Sequence, residues 1–138
     1  MLSRSSRYDC VAICSMFGSS EEHVPSVGLV VAGDAAYNDV HLYLVESDAQ
    51  TRLEWISALD TIEALKPRAV IAGHTKPEND DCPRIVNETR QYIRDFGRVA
   101  EMTTTARELY DEMLELYPDR ANAGSLWGSA RAVTGGTT

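Results

Sequence analysis

The sequence contains no long apolar segment. No run of about 18 apolar residues occurs in its 138 residues, so no part of it has the length to cross a bilayer as a helix. Its hydrophobic and charged fractions, 43% and 25%, are ordinary for a globular protein. We therefore expect one compact, soluble domain without a membrane partner, and a chain of this length can bury a core without disulfides.

Basic residues are also scarce. Lysine and arginine together number 13 against 21 aspartates and glutamates, which gives a formal net charge of -8. Non-specific nucleic-acid binding relies on clustered basic side chains that face phosphates. The charge balance therefore argues against DNA and RNA as partners.

Cysteine is rare, with Cys10, Cys14 and Cys82 making an odd number. This usage fits a reducing compartment better than a secreted disulfide scaffold, so we expect a cytoplasmic location. Cys10 and Cys14 have the spacing of one helical face, but no histidine or second cysteine pair accompanies them at zinc-site spacing. Residues 1–22 form a divergent segment that only faintly resembles a targeting sequence, and a loose end or one packed strand is the favoured interpretation.

Two short apolar runs end in the same way. VVAGD ends at Asp34 and VIAGH ends at His74. The aliphatic run from Val27 to Val31 is typical of a strand buried on both faces, and 69–72 predicts a second strand. Because one helix separates them, we expect a right-handed crossover that joins two parallel strands and brings both endings to one edge of the sheet.

The remaining pattern is mainly helical. The first helix carries capping-box spacing at Ser47 and Gln50 and stops before Pro67, while 40–45 is either a short strand or a helical turn. A second helix follows Pro83, with Gly97 weakening its end, and a third runs from Thr105 to about Pro118. The glycine-containing tail is predicted to be irregular. The apolar positions of the three helices are Leu53, Ile56, Leu59, Ile62, Leu65, Ile85, Thr89, Tyr92, Ile93, Phe96, Val99, Leu109, Met113 and Leu116.

The shared edge is a candidate ligand site. Open α/β sheets bind ligands at the carboxyl ends of parallel strands, and a preceding glycine lets backbone or ligand approach closely. An aspartate and a histidine are suitable ligands for zinc or a similar divalent ion. Two other interpretations stay open: Asp34 caps the following turn, or His74 bonds to its own loop.

Three segments together resemble a known family. GLVVAGDAAYNDVHLYL, RLEWISALDTIEAL and KPRAVIAGHTKP are similar, in this order, to the C-terminal half of a metallo-β-lactamase fold hydrolase. The resemblance is strong over 24–77, and the later helices to about residue 132 resemble the C-terminal extension of some members. It implies an α/β fold that is part of an αββα sandwich, mainly its C-terminal sheet with flanking helices, over residues 23–138.

The resemblance also implies a zinc site, which holds one or two ions in complete family members and is at most weak or partial in this chain. Asp34 matches the aspartate that bridges two metals, and His74 matches the last histidine ligand. A carboxylate can bridge cations about 3.5 to 4 Å apart while they activate water and polarise the bond that it attacks. Tyr37, Asn38 and His41 are candidates for the pocket or for hydrogen bonds that orient a ligand.

The principal motif of the family, HxHxDH, is absent. The chain has only His23, His41 and His74, and the setting of His23, EEHVPS, is not a ligand motif. The resemblance therefore implies a partial or truncated zinc hydrolase that is incompetent alone and requires a complementing N-terminal half. Its substrate would be a small molecule of unknown class. Trp55 is expected to pack, and Trp127 to lie in a loop that packs or covers the pocket.

A second hypothesis is a non-catalytic α/β remnant that acts as an interaction module. Half of a two-sheet sandwich exposes an apolar sheet face, and such faces promote self-association. Enzymatic activity is therefore left open by the sequence.

Overall fold

The computed structural model describes residues 28–136 and, as backbone strands, 11–14 and 20–24. Four strands and four helices are present in this part of the chain. In chain order they are β1 (Val11–Cys14), β2 (Ser20–Val24), β3 (Leu29–Asn38), α1 (Ala49–Ala64), β4 (Ala69–Thr75), α2 (Arg84–Met102), α3 (Ala106–Leu116) and α4 (Ala123–Val133).

The strands form one sheet in the order β1-β2-β3-β4. The pairs β1/β2 and β2/β3 are antiparallel, whereas β3 and β4, which α1 connects, are parallel. The parallel strand–helix–strand unit is therefore confirmed. Cys14 lies in β1, so it is not on a helical face; Cys10 lies outside the described residues. His23 lies in β2 opposite Val30.

The two faces of β3 are not equally covered. Val30 and Ala32 are fully buried, whereas Leu29 and Val31 are half-buried. The prediction of a strand buried on both faces is wrong for these residues. Side chains alternate along a strand, and of these four only Val30 and Ala32 belong to the core that α1 and α2 also form. Val27 lies outside the described residues.

Helix α1 is capped by a different pair from the one predicted. The Asp48 carboxylate accepts from the Thr51 backbone N–H at 2.8 Å, and the Asp48 N–H donates to the Thr51 hydroxyl at 2.8 Å. The Ser47 hydroxyl instead donates to the Leu44 carbonyl at 2.7 Å. The helix exists and ends before Pro67 as predicted, but Leu53 is exposed.

Helix α2 buries the predicted residues, and one buried arginine connects it to α1. Arg90 Nη2 lies 2.9 Å from Asp60 Oδ1 and 2.7 Å from Glu63 Oε2. Helix α3 has the predicted capping box, with Glu108 N–H donating to the Thr105 hydroxyl at 3.2 Å. The buried residues of these helices belong to the hydrophobic core that includes Val30.

The predicted irregular tail is wrong, because Ala123–Val133 forms helix α4. Leu126 and Ala130 are fully buried against the core, so tertiary packing outweighs the low helix propensity of its glycines. The backbone N–H of Leu44 donates to the Ser129 hydroxyl at 2.8 Å, which fixes this helix on the segment after β3.

Residues 40–45 form neither of the two structures left open by the sequence. Val40 makes an isolated parallel bridge with Ala121, and His41 N–H donates to the Ala121 carbonyl at 2.8 Å. The segment therefore connects the end of β3 to the link between α3 and α4. Within the residues that the structure describes, no helix is both long and apolar enough to span a membrane.

Candidate functional site

Asp34 lies inside β3 at an irregularity, not at the end of the strand. The pairing of β3 with β4 passes from Gly33–Ala72 to Tyr37–His74, so several residues of β3 oppose a single residue of β4. A bulge of this kind changes the direction of a side chain. It leaves Asp34 exposed while the two alanines that follow it are buried.

The two glycines of the repeated motif have physical reasons to be glycine. Gly33 has a φ of 54°, in the left-handed region that disfavours residues with a Cβ. A Cβ at Gly73 would lie 2.6 Å from the Gly33 carbonyl oxygen. The close approach of β3 and β4 next to Asp34 and His74 therefore depends on both.

Asp34 and His74 meet at the sheet edge, as the repeated strand endings predict. His74 Nε2 lies 3.2 Å from Asp34 Oδ1. The side chain of His74 is 46% exposed and that of Asp34 is 54% exposed, so a ligand can reach both from solvent. A carboxylate and an imidazole in contact form a donor set that suits zinc.

Tyr37 lies against this pair. Its ring stacks on the His74 imidazole with centroids 4.6 Å apart and planes 14° apart. Burial raises the pKa of its hydroxyl, a backbone hydrogen bond from Tyr43 lowers it, and the charge of Asp34 raises it. Its backbone N–H donates to the Thr89 hydroxyl at 3.1 Å, which ties this part of β3 to α2.

Asn38 is buried away from the pair and fixes a loop. Its amide donates to the Asp80 carbonyl at 2.8 Å and accepts from the Asn79 amide at 2.8 Å. These bonds hold the segment that follows β4 against the end of β3.

His41 is also placed in the interior. It is fully buried, and its Nδ1 lies 2.9 Å from the Tyr92 hydroxyl. Burial, with the charge of Arg120, lowers its pKa to about 4, so its imidazole is neutral at neutral pH. Neither Asn38 nor His41 is among the residues that line the cavity beside Asp34.

A cavity of about 620 Å³ opens beside Asp34 and His74. Trp55 forms part of it, with its indole N–H donating to the Ala35 carbonyl at 2.8 Å. Trp127 lies in helix α4 and not in a loop as predicted. Its ring is edge-on to that of Tyr110, with centroids 5.4 Å apart, and it does not line this cavity. The lining residues are Asp34, Tyr37, Tyr43, Glu46, Thr51, Trp55, His74 and Ser125.

Four of these lining residues were not identified from the sequence: Tyr43, Glu46, Thr51 and Ser125. Tyr43 and Glu46 come shortly after β3 in the sequence. Their position after a predicted strand is the one signal that could have indicated them. Ser125 comes from α4, which the sequence did not predict.

The donor set is incomplete within the described part of the chain. Among residues 28–136, no group of three or more His, Cys, Asp or Glu side chains is arranged to hold a metal ion. Asp34 and His74 therefore fit zinc as two ligands, whereas catalytic zinc sites have three protein ligands.

Comparison with known proteins identifies the fold. No protein-family model and no curated protein matches the chain. A solved structure, a metallo-beta-lactamase family protein from Thermus thermophilus, is similar with a TM-score of 0.55 and 21% identity. The match covers 84% of this chain and 38% of that protein, so the chain spans less than half the length of its structural neighbour.

At this level of identity the similarity concerns the fold alone. The chain has an α/β fold that corresponds to part of the metallo-β-lactamase fold, and the fold class predicted from the sequence is confirmed.

Proposed function

We propose that the chain supplies part of the metal site of a zinc-dependent hydrolase of the metallo-β-lactamase superfamily. The contact between Asp34 Oδ1 and His74 Nε2, 3.2 Å long and beside a cavity of about 620 Å³, carries this proposal. Both side chains are of types that ligate zinc, and both are accessible. The similarity of fold supports the superfamily, and the zinc chemistry is the further step that we propose.

The remaining ligands would come from a complementing N-terminal half. Two side chains are too few for a catalytic zinc site, and the structural neighbour is much longer than this chain. Residues 28–136 would therefore correspond to the C-terminal half of the complete enzyme and be inactive alone. A separate polypeptide would supply the rest.

The residues of this chain would have distinct tasks in that enzyme. Asp34 and His74 would hold the metal, and Tyr37 would keep the His74 imidazole in a fixed plane through the stacked contact. Bound zinc supplies a Lewis acid and lowers the pKa of its water. The cavity would hold a small molecule whose ester, thioester or lactam bond is cleaved by addition of water.

Zinc titration of the 138-residue protein by calorimetry tests the proposal. We expect weak but saturable binding through the two ligands that this chain supplies, and Asp34→Asn and His74→Gln should each abolish it. Asp111→Asn is the matched carboxylate-to-amide control, because Asp111 lies on α3 in a pair with Arg107 at 2.9 Å, and it should bind zinc like the unchanged protein. Absence of binding, or binding that is the same in all the variants, would overturn the proposal.

One observation favours the alternative of an interaction module. Ile71 is 36% exposed on β4, which is an edge strand of the described sheet, and Leu29 and Val31 are only half-buried. Exposed apolar surface of this kind promotes association. Under this alternative, sedimentation would show self-association that Ile71→Lys reduces, in a protein that does not bind zinc.

A further inference from the structure

The cavity beside Asp34 and His74 has an uneven charge. Asp34 and Glu46 are both carboxylates, and among residues 28–136 no lysine or arginine lines the cavity. Arg52 follows the lining residue Thr51 directly, but its guanidinium bonds to the Ser47 hydroxyl at 3.2 Å and lies 5.7 Å from the centre of the Phe96 ring. Within this part of the chain, Glu46 therefore faces the cavity without a lysine or arginine in the lining, and its charge favours a cationic group over an anionic one on its side of the cavity.

Three of the lining residues are aromatic, namely Tyr37, Tyr43 and Trp55. Tyr37 and Trp55 lie with their ring centres 6.2 Å apart, and both are buried. Tyr43, in contrast, is 54% exposed, so solvent reaches its large aromatic side chain. Aromatic faces attract ammonium and guanidinium groups through the ring quadrupole, most strongly where water is partly excluded.

Tyr43 and Glu46 are carried by a fixed turn. Ser47 N–H donates to the Leu44 carbonyl at 3.1 Å, and the Leu44 N–H donates to the Ser129 hydroxyl of α4 at 2.8 Å. Leu44 itself is buried. The backbone between the aromatic ring and the carboxylate is therefore held to the core, which lowers the entropic cost of forming a binding site.

We propose that Tyr43 and Glu46 form a subsite for an organic cation within this cavity. The ligand class is a molecule with an ammonium or quaternary ammonium group, whose charge lies beside Glu46 and whose alkyl surface contacts Tyr43. The assignment rests on the proposed function in treating this cavity as the substrate site. A volume of about 620 Å³ accommodates the cationic group together with a second group near Asp34 and His74.

Binding of phenyltrimethylammonium to the 138-residue protein, measured by ligand-observed NMR at low ionic strength, tests the subsite. Benzenesulfonate, which has similar size and opposite charge, is the comparison ligand. We expect saturable binding of the cation and binding of the sulfonate that is weaker by about tenfold or more. Equal binding of the two ligands, or preference for the sulfonate, would overturn the subsite.

Four substitutions locate the binding. Glu46→Gln and Tyr43→Leu should each weaken cation binding by about fivefold, whereas Tyr43→Phe keeps the ring and should bind within about twofold of the unchanged protein. Glu115→Gln, at an exposed position on α3 away from the cavity, is the control for loss of one charge and should have no effect. Thermal melts of every variant check folding.

Asp34→Asn separates the subsite from the metal pair. We expect this variant to bind phenyltrimethylammonium while it fails to bind zinc. If Asp34→Asn lost cation binding and Glu46→Gln retained it, the assignment to Glu46 would be overturned. Zinc binding without cation binding would overturn the subsite alone, and cation binding without zinc binding would support the subsite and overturn the proposed metal site.

Discussion

The imidazole of His74 lies flat on the ring of Tyr37, with centroids 4.6 Å apart and an interplanar angle of 14°. The two residues are partners in the pairing of β3 with β4, so the stack follows from the register of the sheet. Thr89 on α2 bonds to both the backbone N–H and the carbonyl of Tyr37, at 3.1 and 3.2 Å. The plane of the His74 ring is therefore defined by the packing of α2 on the sheet.

Tyr37→Leu should weaken zinc binding by about tenfold, because the imidazole loses the surface that orients it. Tyr37→Phe retains the ring and loses only the hydroxyl, so its zinc affinity should stay within about threefold of the unchanged protein. Competition with a chromophoric chelator measures both affinities.

Trp55→Phe is a control for the loss of aromatic packing in the same cavity, because Trp55 lines the cavity from helix α1 and not from the strand that pairs with β4. It should lower stability with little change in zinc affinity. A positioning role for Tyr37 would be contradicted if Tyr37→Leu and Trp55→Phe changed zinc affinity equally.

The contact of Asp34 with His74 could be predicted because two parallel strands with the same ending bring their termini to one edge. The sequence pattern does not contain the bulge between Gly33 and Tyr37, which arises from the pairing of β3 with β4. The position of Asp34 within the strand was therefore predicted only approximately.

Helix α4 and the turn with Tyr43 and Glu46 could not be predicted for a different reason. Their conformations depend on contacts between distant parts of the chain, such as the bond from Leu44 to Ser129. Local propensity does not encode such contacts, and the glycines of α4 favour a loop when considered alone.

Gly73→Ala should lower the free energy of unfolding by about 1 to 3 kcal/mol, because the new Cβ would meet the Gly33 backbone, which cannot rotate away. Gly97→Ala is the matched control. Its Cβ would meet only Arg52 Nε at 3.8 Å, and alanine in the middle of α2 should raise stability by about 0.5 to 1 kcal/mol. Urea denaturation measures both values. A Gly73→Ala protein as stable as the original would contradict the close approach of β3 and β4.

Thr105→Ala should cost about 1 kcal/mol of stability, because the Glu108 backbone N–H loses its acceptor at the start of α3. Thr61→Ala removes the same hydroxyl from an exposed position inside α1, where it donates to the Ser57 carbonyl, and should change stability by less than about 0.5 kcal/mol. Thermal unfolding of the two variants compares them directly. Equal losses would show that the hydroxyl at Thr105 has no capping role.

His41 should make the protein less stable in mild acid. Burial lowers the pKa of its imidazole from 6.5 to about 4, and the charge of Arg120 acts in the same direction. Between these values the unfolded chain binds a proton that the folded protein does not. The contribution is therefore complete above about pH 6.5 and is lost as the pH falls toward about 4, with a slope approaching about 1.4 kcal/mol per pH unit.

His41→Gln isolates this effect, because glutamine keeps a polar group near the Tyr92 hydroxyl but does not titrate. The variant should be less stable at neutral pH, and its free energy of unfolding should depend less steeply on pH between about 6.5 and about 4.5. Urea titrations at several pH values in this window measure the slopes. Identical slopes in the two proteins would show that His41 keeps its ordinary pKa in the folded state, which would contradict its burial beside Arg120.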